Sequence, residues 1–282
     1  MDAPTGPTRI AELRMSSPDA QESDRFLREW LPAVANPPAH SAAARVSFVD
    51  EPGRPIPQAN ERGAYWKISV ADDDLDATAS ALVAGGVAVT EPQQFLDIGY
   101  LAHLHEPGGT AVELVQRTFD RPRSPPPPPA EAQLALITLR ATDREAYERF
   151  LAAGLGLSLV ATMAVEHGGP DPFDLSFWGF IDPDASGRPN PDPASVENRE
   201  WLYQLPLTVI ELQHHRTPIS LAGASPLVDI AIEVETDAKR SELAARLAAT
   251  GVACTAGEDQ SLRFASPDGH QFTVRTPARG DR

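Results

Sequence analysis

The chain states one strand–helix pattern twice, and that repetition limits its fold more than any other feature. Around residue 12 an apolar strand pattern leads to an Asp and, seven residues later, a Phe, in AELRMSSPDAQESDRFLREWLP (Asp19, Phe26). Around residue 136 it returns as ALITLRATDREAYERFLAAGLGL (Asp143, Phe150). Each copy is followed by a strand, an Ala-rich helix ending in Gly-Val, and a final hairpin: WKISVADDDLDATASALVAGGVAV with EPGGTAVELV, then DIAIEVETDAKRSELAARLAATGVAC with SPDGHQFTV. Self-similarity at this spacing marks duplicated supersecondary units. Such units, curled around a shared cleft, make a small-molecule site.

The boundary between the copies is RPRSPPPPPAEAQ, where Pro125–Pro129 form a stiff polyproline spacer. Module A therefore covers 8–119, the linker 120–130 and module B 131–277. In module A, strands are expected at Ile10–Met15, Arg45–Val49, Tyr65–Val70, Val87–Val89, Gly99–His105 and Thr110–Gln116. Helices are expected over Pro18–Trp30 and Leu75–Ala84, the first with an acid in its first turn and the second closed by Gly85-Gly86. Module B repeats this with helices Arg144–Ala153 and Ala238–Ala249 and the final hairpin Ser261–Thr276. The polar, Pro-rich stretch 182–199 reads as a surface loop.

Composition narrows the partners. The chain of 282 residues carries 24 basic and 40 acidic side chains, a net charge of −16. That sign opposes nucleic-acid binding, which needs Lys and Arg to displace counterions. No apolar run reaches the length of a membrane span, and the opening residues lack the basic-then-apolar layout of a signal peptide. A cytoplasmic protein with a small-molecule partner is expected. A single cysteine, Cys254, excludes an internal disulfide and reads as a buried structural thiol.

The repeated unit, β-α-β-β-β, resembles the vicinal oxygen chelate superfamily, which contains glyoxalase I, extradiol dioxygenases and bleomycin-resistance proteins. Module B resembles glyoxalase I (lactoylglutathione lyase) through LITLRATDREAYERFLAAGLGLSLVA, FDLSFWGF, NREWLYQLPLTVIELQHH and DIAIEV through SPDGHQFTV. Module A resembles generic bacterial glyoxalase-like modules through AYWKISVADDDLDATASALVAGGV and GYLAHLHEPGGTAVELV. The resemblance implies an α+β fold of tandem glyoxalase-like modules, each made of two βαβββ units that curl a mixed sheet around a cleft. It also implies a divalent metal held by the first and last strands of each half, polarising substrate oxygens.

Carried over residue by residue, module B makes a poor metal site. Its four positions hold Leu136, Glu211, Asp229 and Thr273, and only Glu211 matches. No metal is expected there. Glu211 becomes the candidate general base. Arg140, where glyoxalase I holds a substrate carboxylate, joins Arg263, Asp229 and Trp178 as candidate substrate-binding residues, with Phe177 as the alternative to Trp178. Module A offers Glu12, His103 and Glu113 as ligands for one divalent ion, with Tyr65 at the position where His is usual and Lys67 nearby. A polar cleft in which Glu12 and Glu113 bond to Lys67 and Tyr65 is the other reading. His215 shares a strand face with Glu211, and His214 does not. His270 sits beside a turn and reads as exposed.

Two functions remain open. One is lyase or isomerase chemistry on a small α-oxo-carbonyl or related metabolite. The other is metal-free sequestration of a small molecule, of the bleomycin-resistance type. The modules are expected to pair within the chain.

Overall fold

The computed structural model describes residues 8–38, 41–55, 63–120, 132–166, 171–221, 223, 225–257 and 259–277. The proline run, His40 and His167 lie outside the described residues.

Four strand-to-helix turns use the same chemistry. β1 (Arg9–Ser17) enters α1 (Ala20–Trp30), where the Asp19 carboxylate accepts from the Glu22 amide at 2.9 Å. A short α2 (Pro32–Ala35) and β2 (Arg45–Asp50) complete this first unit, which has the two strands read from its sequence among the described residues, fewer than the four of a full βαβββ unit. β3 (Tyr65–Asp72) enters α3 (Leu75–Ala84) through Asp74, which accepts from Ala77 N, and β4 (Gln93–Phe95), β5 (Gly99–His105) and β6 (Ala111–Gln116) follow. β7 (Gln133–Ala141) enters α4 (Arg144–Arg149) through Asp143. This helix continues as a π-helical turn, Phe150–Leu155, and β8 (Ser158–Val165), β9 (Phe173–Gly179), α5 (Asn198–Tyr203) and β10 (Val209–His215) follow. β11 (Leu227–Glu233) enters α6 (Asp237–Ala249) through Thr236, and β12 (Thr255–Ala256), β13 (Leu262–Ala265) and β14 (Gln271–Arg275) close the chain. Each cap satisfies an amide that the helix leaves without an internal partner. The strand expected at Val87–Val89 is reduced to one bridge from Val89 to Leu104.

In each unit the first strand runs parallel to the last, as β3 does to β6 and β7 to β10. That leaves the outer edge of every first strand with unpaired backbone groups, which pair with another such edge. β3 pairs antiparallel with β7, with Ile68 opposite Ile137, and β1 with β11, with Leu13 opposite Ile230. The result is two mixed sheets, ordered β4-β5-β6-β3-β7-β10-β9-β8 and β12-β13-β14-β11-β1-β2. Each sheet joins one unit from before the linker to one from after it. The clefts therefore form across the linker rather than between the halves of a single module.

One core binds the two sheets and their helices. It runs from Leu13 and Ile230 through Leu27, Leu82, Phe150 and Leu247 to Ile68 and Ile137. Phe264 and Phe272 stack within it at 5.5 Å, and Phe150 meets Phe272 edge-on at 5.4 Å. His270, expected at the surface, is buried instead. Its Nδ1 lies 2.8 Å from the Tyr147 hydroxyl, and burial holds its pKa below the usual value. Cys254 is half-buried, and burial pushes its thiol pKa up. Two hairpin turns place Gly109 and Gly269 at φ of +87° and +88°, where a side chain would be strained. No helix among the described residues is long and apolar enough to cross a membrane.

Candidate functional site

A β-bulge creates the most chemically loaded point of the eight-stranded sheet. Opposite β7, Tyr65 pairs with Leu139 and Lys67 with Thr138, so Trp66 is the extra residue on β3. A bulge re-aims the side chains around it. Here Tyr65 joins the apolar core, while Trp66 and Lys67 line the cleft. The position assigned to Tyr65 from sequence is thus filled by Lys67.

Lys67 Nζ donates to Glu113 Oε1 at 2.6 Å and to Ser69 Oγ at 3.3 Å, and it stands 3.5 Å from Glu211 Oε2. The Ser69 hydroxyl also donates to Glu113 Oε1, at 2.8 Å, and His103 Nε2 approaches Glu113 Oε2 at 3.2 Å. The side chains of Lys67, Glu113 and Glu211 are 5%, 10% and 4% exposed, so all three charges sit in a low-dielectric environment. The walls of the cleft are largely aromatic and aliphatic: Trp66, Phe95, Phe173, Phe177 and Tyr203 with Leu136.

The three ionisable groups settle into different states. Burial works to neutralise Glu113, but the Lys67 charge and the His103 contact outweigh it and hold its pKa down to about 2. Burial also opposes the Lys67 charge, yet Glu113 and Glu211 together raise the lysine pKa above its ordinary value. Glu211 goes the other way. Burial raises its pKa, Lys67 only partly offsets that, and the Glu113 anion adds to the rise. The cleft floor therefore pairs an ammonium with one carboxylate and keeps a second carboxyl shifted toward its protonated form.

This donor set does not suit a divalent ion. An ammonium stands between the two carboxylates that would have to converge on the metal, and no cluster of three metal-ligating side chains forms among the described residues. The expected ligand trio is also divided. His103 and Glu113 meet in the eight-stranded sheet, whereas Glu12 lies on β1 of the other sheet. There Glu12 accepts from Ser47 at 2.8 Å and pairs with Arg45 and Arg275 at 3.0 and 2.9 Å.

Several expected substrate contacts are displaced as well. Asp229 and Arg263 belong to the six-stranded sheet, away from Glu211. Trp178 packs into the core opposite Ile210, and its neighbour Phe177, opposite Glu211, faces the cleft. Arg140 turns back to the backbone. It donates to the carbonyls of Gly63 and Tyr65 at 3.0 and 3.2 Å and to Gln213 Oε1 at 2.9 Å, and its guanidinium lies 5.1 Å from the Trp66 ring. It braces the bulge and does not line the cleft. Arg140→Ala is therefore expected to cost about 1–3 kcal/mol for the buried carbonyls it abandons, read as a shift in the urea midpoint. An unchanged midpoint would contradict this bracing role. His215 shares the Glu211 face and stacks at a tilt on Phe173 at 5.5 Å, while His214 points elsewhere, with its Nδ1 3.3 Å from Ala141 O.

Tyr203 was not foreseen. The stretch after β9 runs as turns into α5, which buries Trp201, Leu202 and Tyr203 on the concave side of the eight-stranded sheet. The Tyr203 hydroxyl donates to Ile98 O at 3.0 Å. Lys67 did leave a signal, as a lone charge inside the apolar run YWKISVA.

The two mixed sheets, built from strand–helix–strand units with parallel first and last strands, give the chain the tandem glyoxalase-like fold seen in solved structures. The chain is similar to glyoxalase I from Zea mays at 17% identity, over 95% of this chain and 92% of the maize chain, with a TM-score of 0.65. It is also similar to a candidate dioxygenase from Bacillus subtilis at 17% identity, over 98% and 87% of the two chains, with a TM-score of 0.63. At such identity the likeness establishes the fold alone. No protein-family model and no curated protein matches the sequence.

Proposed function

We propose that the cleft of the eight-stranded sheet binds a small, mainly apolar carbonyl compound and moves a proton at the carbon beside the carbonyl. This is isomerase- or lyase-type chemistry, carried out without a divalent ion. The observation that supports it is Lys67 Nζ held between Glu113 and Glu211 on the floor of an aromatic-walled cleft. The Lys67 ammonium, exchanging its 3.3 Å contact to Ser69 for the carbonyl oxygen, stabilises the charge that grows there. Glu211 as carboxylate takes the proton from carbon and returns it at the neighbouring position, a role that a raised pKa suits. Glu113 keeps the lysine charged throughout. The fold shared with maize glyoxalase I is compatible with such chemistry and does not establish it.

Sequestration without turnover is the second reading, favoured by the fact that Lys67 already has three oxygen neighbours before any ligand arrives. One experiment separates the two: proton NMR of 1-phenyl-2-propanone in D₂O with the intact protein. Protein-dependent loss of the α-proton signal is expected, slowed about 10²–10⁴-fold in Glu211→Gln while binding persists. Binding with no exchange supports sequestration. Equal exchange in Glu211→Gln would remove that residue from the chemistry.

A further inference from the structure

The other sheet presents a concave face of opposite character. Strand register sets Arg45 beside Glu12, Arg14 beside Asp229, and Arg263 beside Thr273, while Arg275 reaches Glu12 at 2.9 Å. Five arginines thus share a face with three carboxylates, the Arg9–Glu233 pair at 3.0 Å closing one edge, in a chain whose net charge is −16. The carboxylates are committed to this face. Glu12, 8% exposed, is held by Ser47, Arg45 and Arg275, and Asp229, also 8% exposed, accepts the Thr273 hydroxyl at 2.9 Å. Arg14 and Arg263 remain exposed, and neither lies within ion-pair distance of a carboxylate among the described residues. Their charge reaches Asp229 through space, and that of Arg263 also acts on Asp259.

We infer that this face is a second binding site, for a small multivalent oxyanion carrying phosphate or carboxylate groups. Arg14 on β1 and Arg263 on β13 flank the β11–β14 pair, and both charges act on Asp229 between them, so that a multivalent anion spanning the pair would take charge-assisted hydrogen bonds from both. Arg45 and Arg275, already fixed by Glu12, supply a preoriented positive wall at the other end of the face. Asp229 lies beneath as a counter-charge that limits affinity and discriminates against ligands lacking two or more negative charges. The residues are distinct from those of the Lys67 cleft, so either site can fail without the other.

The test is titration calorimetry of the intact protein with inorganic phosphate, pyrophosphate and citrate, at low salt and again at physiological salt. Pyrophosphate or citrate is expected to bind, more weakly as salt rises. Arg14→Ala and Arg263→Ala should each weaken it about five- to tenfold, the low end for a charged hydrogen bond at an exposed site. Asp229→Asn keeps the shape and removes the counter-charge, so it should tighten binding severalfold, which a merely structural aspartate would not do. Arg25→Ala, on the exposed face of α1, serves as the control and should change nothing. Pyrophosphate winning over citrate would point to phosphate-bearing ligands, and the reverse to polycarboxylates. Binding by none of the three, or binding indifferent to Arg14 and Arg263, overturns the inference.

Discussion

Replacing both Glu113 and Glu211 by Gln is expected to cost about 3–5 kcal/mol, the penalty for leaving a buried charge without a partner. Lys67 is then a 5%-exposed ammonium with only neutral neighbours. The single changes should behave differently. Glu113→Gln still leaves Glu211, 3.5 Å from Lys67, as counter-ion, so its cost is smaller. Glu211→Gln removes a carboxyl whose ionisation burial opposes, and should stabilise at neutral pH. The pH dependence follows from the same states. Glu113 has a depressed pKa, so its contribution is present above the ordinary carboxylate pKa and is lost as pH falls through about 2. Glu211 has a raised pKa, so its contribution is present below the ordinary value and fades as pH rises through its folded value. Adding Lys67→Met to the double variant should restore most of the loss, a non-additivity that chemical denaturation can read directly. A double variant that loses under about 1 kcal/mol, or that Lys67→Met fails to rescue, would mean the ammonium is better solvated than its burial implies.

Cutting the chain in the linker should yield two pieces that fold only together. Alone, the first piece leaves β1 without β11 and β3 without β7, and the second leaves the complementary edges open. Unpaired apolar edges template association. Residues 1–124 and 125–282 expressed separately should therefore aggregate or melt without cooperativity, whereas co-expression should restore the melting transition of the intact chain. Size-exclusion chromatography and calorimetry check this. A monomeric piece that melts cooperatively near the intact temperature would show that each module has a self-sufficient sheet.

Most of what the sequence makes legible is local. Asp19 and Asp143 stand where a strand gives way to a helix, and each does cap that helix. Glu113 could be placed on an inward face by counting from a turn, because strand parity is strict, and Glu211 by the resemblance of its strand. What was hidden is non-local. All four first strands are apolar runs, so nothing within them says which edges join, and the pairing of β3 with β7 moved Glu113 and Glu211 into one site. The bulge at Trp66 shifted the count along β3, so Tyr65 was set where Lys67 belongs. Likewise, a single step along β9 exchanged Trp178 for Phe177, since one residue of register turns a side chain to the opposite face.

The segment from 182 to 205 contributes no strand to either sheet, yet Trp201, Leu202 and Tyr203 occupy the hollow of the larger one. The room left in the cleft is thus set by a segment outside the strand frame, tethered to it by contacts such as the Tyr203 hydroxyl on Ile98 O. Shortening or lengthening this segment would change the shape of the cleft while the strand register and the charges on the floor stay in place.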